Sequence, residues 1–200
     1  MEQTSPMEDV ALMMRVRGGD ECAFELLFGR YQHKLLNFFY GLSRNPNTAR
    51  DLAQDTFLRI WKIRKRYQAS GTFPAYLFGV ARMIWLESCR SEQKAWKLGV
   101  RLDETALDGL TGQLADCPAY QARRRELHEK IHHALGQLPE EQRLVFVLRS
   151  IDGLSLEDIA SILDCPVNTV RSRKILAVKK LRHLLATLWD ADNHPVAATR

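Results

Sequence analysis

The sequence predicts an all-α protein of two small helical domains joined by a flexible linker. Apolar residues recur at a helical period in several segments, and no segment alternates as a half-buried strand would. Between them, Gly99, Gly109, Gly112 and Pro118 interrupt every period, while Asp103, Glu104, Asp108 and Asp116 outnumber Lys97 and Arg101. Near the end, two helix patterns flank a very short turn, and the second is strongly basic. These observations divide the chain into a first domain at 1–97, an acidic linker at 98–120, a second domain at 121–189 and a tail at 190–200.

Residues 1–7 read as a loose tail. Val10, Leu12, Met13 and Val16 supply a short helical face, ended by Gly18-Gly19. Asp20 then caps a stronger helix carrying Phe24, Leu27, Phe28, Tyr31, Leu35, Phe38, Phe39 and Leu42. Asn45-Pro46-Asn47 is a turn, with Asn47 the expected N-cap of a helix from about Thr48 to Arg66. Leu52, Phe57, Ile60, Trp61 and Ile63 give that helix its apolar mass; Asp51, Asp55 and Lys62 share an outer face with Leu58. The basic cluster Arg59 to Arg66 partly complements the negative end of the helix dipole. After a polar loop from Gln68 to Thr72, Pro74 opens a helix with Leu77, Val80, Ala81 and Ile84 as its core seam. Tyr76, Arg82 and Trp85 lie outside that seam. They read either as packing residues or as aromatics beside arginines, able to stack on unpaired bases.

The second domain begins with a charged helix from about Gln121 to Leu135. Leu138-Pro139-Glu140-Glu141-Gln142-Arg143 opens the next helix, with proline at its first turn and two acids at its positive end. Leu144 to Leu148 is apolar, and Gly153 is placed to close the helix in a left-handed turn. Ser155 with Asp158 has the form of a capping box, and Leu156, Ile159, Ala160 and Leu163 make one apolar face. Asp164-Cys165 forms a short turn and Pro166 restarts a helix. That helix has an inward seam of Val167, Val170, Ala177, Val178, Leu181, Leu184, Leu185 and Leu188. Asn168, Arg171, Ser172, Ile175, Lys179 and Arg182 fall on other faces, and from Arg171 to Arg182 there are six basic residues and no acid. A solvated surface helix would also tolerate such a run, but the preceding helix and turn make the whole a helix-turn-helix. Its second helix is suited to a phosphate-lined groove, with Asn and Arg near its start able to reach base edges.

The net charge of +5 suits a nucleic-acid partner. Cys22, Cys89, Cys117 and Cys165 are far apart and form no C-x-x-C pair, which favours reduced thiols in the cytoplasm over disulfides or a thiolate zinc site. Glu2, Glu8 and Asp9 precede any apolar stretch, so no secretory signal is expected. The run from Phe73 to Ala81 is too short to cross a bilayer. His128-Glu129-Lys130-Ile131-His132 matches H-E-x-x-H, the pattern of a zinc hydrolase. Its neighbours Arg123, Arg124, Arg125 and Lys130 would set cations beside the metal, and no clear third ligand follows. Neither a glycine-rich phosphate loop nor a G-x-S-x-G nucleophile turn occurs. No enzyme activity and no cofactor are expected.

Taken together, the chain resembles a bacterial RNA polymerase sigma factor of the small extracytoplasmic-function class, over roughly Glu21 to Leu185. The resemblance rests on Asp51-Leu52, Gln54-Asp55-Thr56-Phe57, Tyr76-Leu77 and Val80-Ala81-Arg82 in the first domain. In the second it rests on Leu138 to Arg143, Gly153-Leu154-Ser155, Asp158-Ile159-Ala160 and Thr169-Val170-Arg171-Ser172-Arg173. It implies a sigma region 2-like domain that binds core polymerase through Asp51, Gln54, Asp55 and Leu58. That domain would also capture the downstream (minus-ten) promoter element with the loop Gln68 to Phe73 and with Tyr76, Arg82 and Trp85. It further implies a region 4-like domain reading the upstream (minus-thirty-five) element with Asn168, Thr169, Arg171, Ser172, Arg173 and Lys174. The implied partners are core RNA polymerase, promoter DNA and an anti-sigma factor; the chain itself is not a membrane protein. The acidic linker corresponds to the segment threaded toward the polymerase channels. Met83 stands where the family often has Asn, Glu87 where Asp is common, Lys174 where an apolar residue is usual, and Asp164 and Asn168 at frequent glycine sites. Asp and Asn tolerate left-handed backbone, so the turn is expected to survive, and Lys174 can run its stem along the core toward a phosphate. The rivals are an operator-binding helix-turn-helix regulator without a polymerase partner and a helical adaptor protein.

Overall fold

A computed structural model describes residues 6–97, 118–150 and 154–193, with side chains at 7–91, 126–127, 129–150 and 154–186. Every regular element among the described residues is helical. Gly153, the linker up to Cys117 and the side chains of His128 and Leu188 lie outside the described residues.

The N-terminal domain consists of α1 (Pro6–Arg17), α2 (Glu21–Ser43), α3 (Pro46–Ile63), a 3-10 turn at Arg64–Arg66, and α4 (Phe73–Lys97). Helix α1 buries Leu12, Met13 and Val16, and also Asp9, at 4% exposure. That carboxylate accepts hydrogen bonds from the Arg30 guanidinium and the Tyr31 hydroxyl of α2. A buried charge is tolerated when its lone pairs are filled in this way. Burial and the bond to Asp9 push the Tyr31 hydroxyl far above its ordinary pKa. Asp20 caps α2 as expected, accepting from the Ala23 amide at 3.0 Å. That amide, followed by Arg15, holds the Asp20 carboxyl below its usual range.

Asn45, not Asn47, caps α3. Its side chain accepts from the amides of Asn47 and Thr48 at 2.9 and 3.1 Å. Pro46 explains the shift, because its fixed φ and missing N–H suit the first helical position and move the cap one residue upstream of it. Helix α3 ends at Ile63, and Arg64 folds back to lie 4.1 Å over the Trp61 ring. The core seam of α4 is the expected one, with Leu77, Val80, Ala81 and Ile84 all buried.

The C-terminal domain consists of α5 (Pro118–Gly136), α6 (Glu140–Arg149), α7 (Leu156–Leu163) and α8 (Val167–Asn193). Helix α8 extends as far as Asn193. Pro139 sits one position earlier than expected, at the cap of α6 rather than inside it. The capping box at α7 is complete: the Ser155 hydroxyl accepts from the Asp158 amide, and the Asp158 carboxylate accepts from the Ser155 amide. Asp164 closes α7 with φ 51°, in the left-handed region where its short polar side chain is tolerated. Ala134, Leu135 and Leu138 pack on Ala177 and Leu181, seating α5 against α8.

The two domains also pack against one another. One cluster of buried side chains runs from Leu12 of α1 to Val170 of α8. The reason lies in α7, which has only eight residues but buries Ile159, Ala160, Ile162 and Leu163. A stripe that wide cannot be covered by α8 alone, so α7 also packs against α4. Alongside, α6 meets α2, where a Cβ placed on Gly41 would lie 3.0 Å from Val147 Cγ2.

Candidate nucleic-acid and polymerase interfaces

Three surfaces carry the residues singled out in the sequence. The first is one stripe of α3, where Asp51, Gln54, Asp55 and Leu58 fall three or four residues apart and all are exposed. Leu58 is 47% exposed, a large apolar side chain flanked by carboxylates. Beside it, a groove of about 510 Å³ between α3 and α4 is lined by Leu52, Asp55, Leu58, Arg59, Ile84 and Glu87. Arg59 and Glu87 close across it in an ion pair of 2.7 Å.

The second surface is the start of α4 and the loop before it. Phe73 is 1% exposed, so it belongs to the core, where its ring lies 5.2 Å from that of Tyr31. Tyr76 is half-buried and packs edge-on against Tyr67 at 4.9 Å. Burial raises the pKa of both hydroxyls. Tyr67 escapes the sequence reading because it follows the basic run and belongs to no helical seam; the aromatic directly before a polar loop was the available signal. Arg82 and Trp85 turn toward the other domain. Arg82 donates to the Ile162 carbonyl of α7 at 3.1 Å. Trp85 is 6% exposed, and its indole N–H donates to Glu140 of α6 at 3.2 Å. In the loop itself, the Thr72 hydroxyl donates to Asp158, the same carboxylate that completes the α7 capping box, at 2.9 Å.

The third surface is the first three turns of α8. Asn168, Arg171 and Ser172 are exposed, and Arg171 reaches back to the Asn168 side-chain oxygen at 3.4 Å. Thr169 and Lys174 are half-buried, in keeping with a lysine stem lying along the core. Arg173 behaves differently. It pairs with Glu141 of α6 at 2.5 Å and donates to Cys165 Sγ at 3.7 Å, so it braces the helix-turn-helix from within. Beyond these residues Ile175 and Leu176 are 61% and 52% exposed, next to Lys179 and Lys180.

The described side chains of the H-E-x-x-H match, Glu129 to His132, lie outside the three sets of residues above. His132 lays its ring 4.2 Å from that of Tyr40, and among the described residues no three His, Cys, Asp or Glu side chains converge as ligands would. Nor is any helix among them long and apolar enough to cross a membrane.

Comparison with known proteins finds two family matches along the chain. Residues 27–95 match the family described as Sigma-70 region 2, and residues 128–181 match Sigma-70, region 4. The chain is 32% identical over 173 residues to the RNA polymerase sigma-H factor of Pseudomonas aeruginosa, covering 83% of this chain and 88% of that protein. It is 29% identical over 171 residues to the ECF RNA polymerase sigma-E factor of Escherichia coli strain K12, covering 84% and 88%. Among solved structures, CnrH in complex with the cytosolic domain of CnrY aligns with a TM-score of 0.63 at 25% identity, covering 90% of this chain and 97% of that one. The sigma factor RpoE in complex with the anti-sigma factor NepR from Bartonella quintana aligns with a TM-score of 0.66 at 24% identity, covering 82% and 96%. With regions 2 and 4 both present, in order, and little between them, the chain belongs to the extracytoplasmic-function group of the sigma-70 family of RNA polymerase sigma factors.

Proposed function

We infer that this chain is an alternative sigma factor: it binds core RNA polymerase, directs it to particular promoters and assists their melting. The observation that carries this reading is the pairing of two unlike DNA-facing domains in one chain, matched separately to regions 2 and 4. An operator-binding regulator of the helix-turn-helix kind commonly dimerises on a palindrome with identical halves. Two unlike halves suit an asymmetric site that has one direction, as a promoter does.

The residues divide the work by their chemistry. Asp51, Gln54, Asp55 and Leu58 offer polymerase an apolar contact ringed by acceptors, and their shared exposure on α3 supports that role. Asn168, Arg171 and Ser172 read the upstream duplex, Arg171 with a planar fork matched to the edge of a guanine. Thr169, Arg173 and Lys174 hold that helix in place or approach phosphates. Tyr76, Arg82 and Trp85, with the loop ending at Phe73, hold the opened downstream strand. Unstacking a base costs a few kcal/mol, so a pocket that retains it traps an opening that would otherwise close. Upstream binding raises the effective concentration of the downstream reader at its target. The chain catalyses no reaction of its own; it works in the cytoplasm, on the polymerase. The partner that regulates it is an anti-sigma protein, of the kind bound to the Bartonella quintana neighbour.

Reconstitution tests this. Core polymerase with the purified chain and genomic DNA fragments is expected to start transcripts at sites that core alone does not use. Absence of such starts, or of a stable complex with core, overturns the reading.

A further inference from the structure

We propose that Asp9 and Tyr31 are positioning residues for the strand-reading loop: through Phe73 and Tyr76 they set where Gln68 to Thr72 stand when opened DNA arrives. The inference rests on the functional reading above and deepens it, because it extends the downstream reader to α1, a helix given no contact with DNA or polymerase so far.

The loop is held from its two ends. Gln68, Ala69, Ser70 and Gly71 are exposed, but the residues that bracket the loop are core, Tyr67 at 2% and Phe73 at 1% exposure. Both ends enter one aromatic cluster. The Tyr76 ring lies 4.9 Å from that of Tyr67 and 6.4 Å from that of Phe73, and Phe73 meets the Tyr31 ring edge-on at 5.2 Å. Edge-on contacts are directional, so a change in the tilt of Tyr31 is passed to Phe73 and from there to the loop.

Tyr31 fixes this cluster to a rigid point. Its hydroxyl donates to one carboxylate oxygen of Asp9 while Arg30 donates to the other, so the acceptor itself is held against turning. A charge-assisted hydrogen bond is stronger and more geometrically exacting than a neutral one. Burial and this bond keep the hydroxyl protonated far above neutral pH, so the donor is always present. Helix α1, which carries Asp9, packs against α2, α4 and the 3-10 turn Arg64–Arg66, and so against the elements on both sides of the loop. The Arg30 ion pair alone would suffice to staple α1 to α2. The second oxygen, on Tyr31, ties that staple to the reading loop. Such a tie suits a reader whose groups must be held to within about 0.5 Å of their working positions.

Two variants separate positioning from stapling. Tyr31→Phe keeps the ring and its packing and removes the bond to Asp9. Arg30→Gln leaves that bond in place and removes the countercharge of a buried carboxylate, so it lowers stability at least as much. Each variant is assembled with core polymerase and measured at a temperature where it is fully folded. The DNA is a fragment from a mapped start site, pre-melted over its downstream element, and the same fragment with single bases changed there. In Tyr31→Phe, binding of the pre-melted fragment is expected to weaken about threefold to tenfold, with discrimination against the changed bases reduced by a similar factor. Its affinity for core polymerase and for the upstream duplex is expected to stay within about twofold of the unaltered chain. Asp9→Asn weakens the same bond from its other end and is expected to reduce discrimination as well. Arg30→Gln is expected to keep its discrimination despite its lower stability. Unchanged discrimination in Tyr31→Phe overturns the proposal. So does an equal loss in Arg30→Gln, which would make the cluster a staple of the fold and nothing more. If the unaltered chain itself fails to bind core polymerase, it is the sigma reading that falls, and the positioning role with it.

Discussion

Two helices of this protein carry its DNA-facing residues, and they stand in opposite conditions. The first turns of α8 present Asn168, Arg171 and Ser172 to solvent, braced from behind by Arg173 on Glu141. The first half of α4 presents Arg82 and Trp85 to protein. Both helices have a buried seam, both carry arginine, and both begin after a proline or beside one. The difference lies in what surrounds them. Helix α8 packs by one face on α5, α6 and α7 and keeps the other free, whereas α4 is packed by α3 on one side and α7 on another. A duplex is available at all times, so its reader loses nothing by being exposed. An opened strand exists only after melting, and a reader with stacked aromatics left exposed would bind any single strand in the cell.

The sharpest way to break this comparison is at Phe73. If the ring is core, as its 1% exposure indicates, Phe73→Ala lowers unfolding stability by about 3–5 kcal/mol, measured by urea denaturation. A surface strand reader would instead lose DNA binding with stability unchanged. Arg171→Ala tests the other helix and should show the reverse pattern. Stability stays level while affinity for the upstream element falls by about 1–3 kcal/mol, with specificity relaxed at one base pair. An equal loss on every sequence, with a shallower salt dependence, would make Arg171 a phosphate contact instead.

These two residues also show how far the sequence could be read. Local chemistry was legible because it is written within four residues: Asp20 as a cap, the Ser155 and Asp158 box, the left-handed Asp164. The exposed stripe of α3 and the exposed turns of α8 were legible for the same reason, since helical period alone separates their faces. The cap of α3 is ambiguous in sequence because two asparagines, Asn45 and Asn47, flank one proline, and only the preference of proline for the first helical position selects Asn45. The closure of one domain on the other had no such signal. Thr72 and Asp158 are 86 positions apart, Arg82 and Ile162 are 80 apart, and no periodicity links them. The one trace is Ile162, an apolar residue left over once α7 has satisfied α8.

A smaller effect tests the capping box, which belongs to both halves of the comparison. Ser155→Ala removes the acceptor for the Asp158 amide and should cost about 1 kcal/mol of stability. Asp158 also loses its bond from the Ser155 hydroxyl and is freer to turn away from Thr72. Chemical shifts of the loop from Gln68 to Thr72 are therefore expected to move in this variant, although the substitution lies in the other domain. Shifts confined to α7 would mean that Thr72 draws no support from it.

The smallest expected effect separates the two arginines that neighbour one another on α8. Arg173 points inward to Glu141, but Glu141 is 68% exposed, so their ion pair contributes at most about 1 kcal/mol to stability. Glu141→Gln removes the charge of the partner and keeps an acceptor in place. Unfolding stability should fall by a few tenths of a kcal/mol, more at low salt than at high. The DNA consequence has the opposite sign. Arg173 released from Glu141 can swing toward phosphate, and one negative charge is gone from beside the reading helix. Upstream duplex is therefore bound slightly more tightly, with a salt slope steeper by up to about one counterion. Weaker binding in Glu141→Gln would show instead that the brace aims Arg171. The order of α8 would then matter more than its charge, and the open helix would depend on its packing as much as the covered one does.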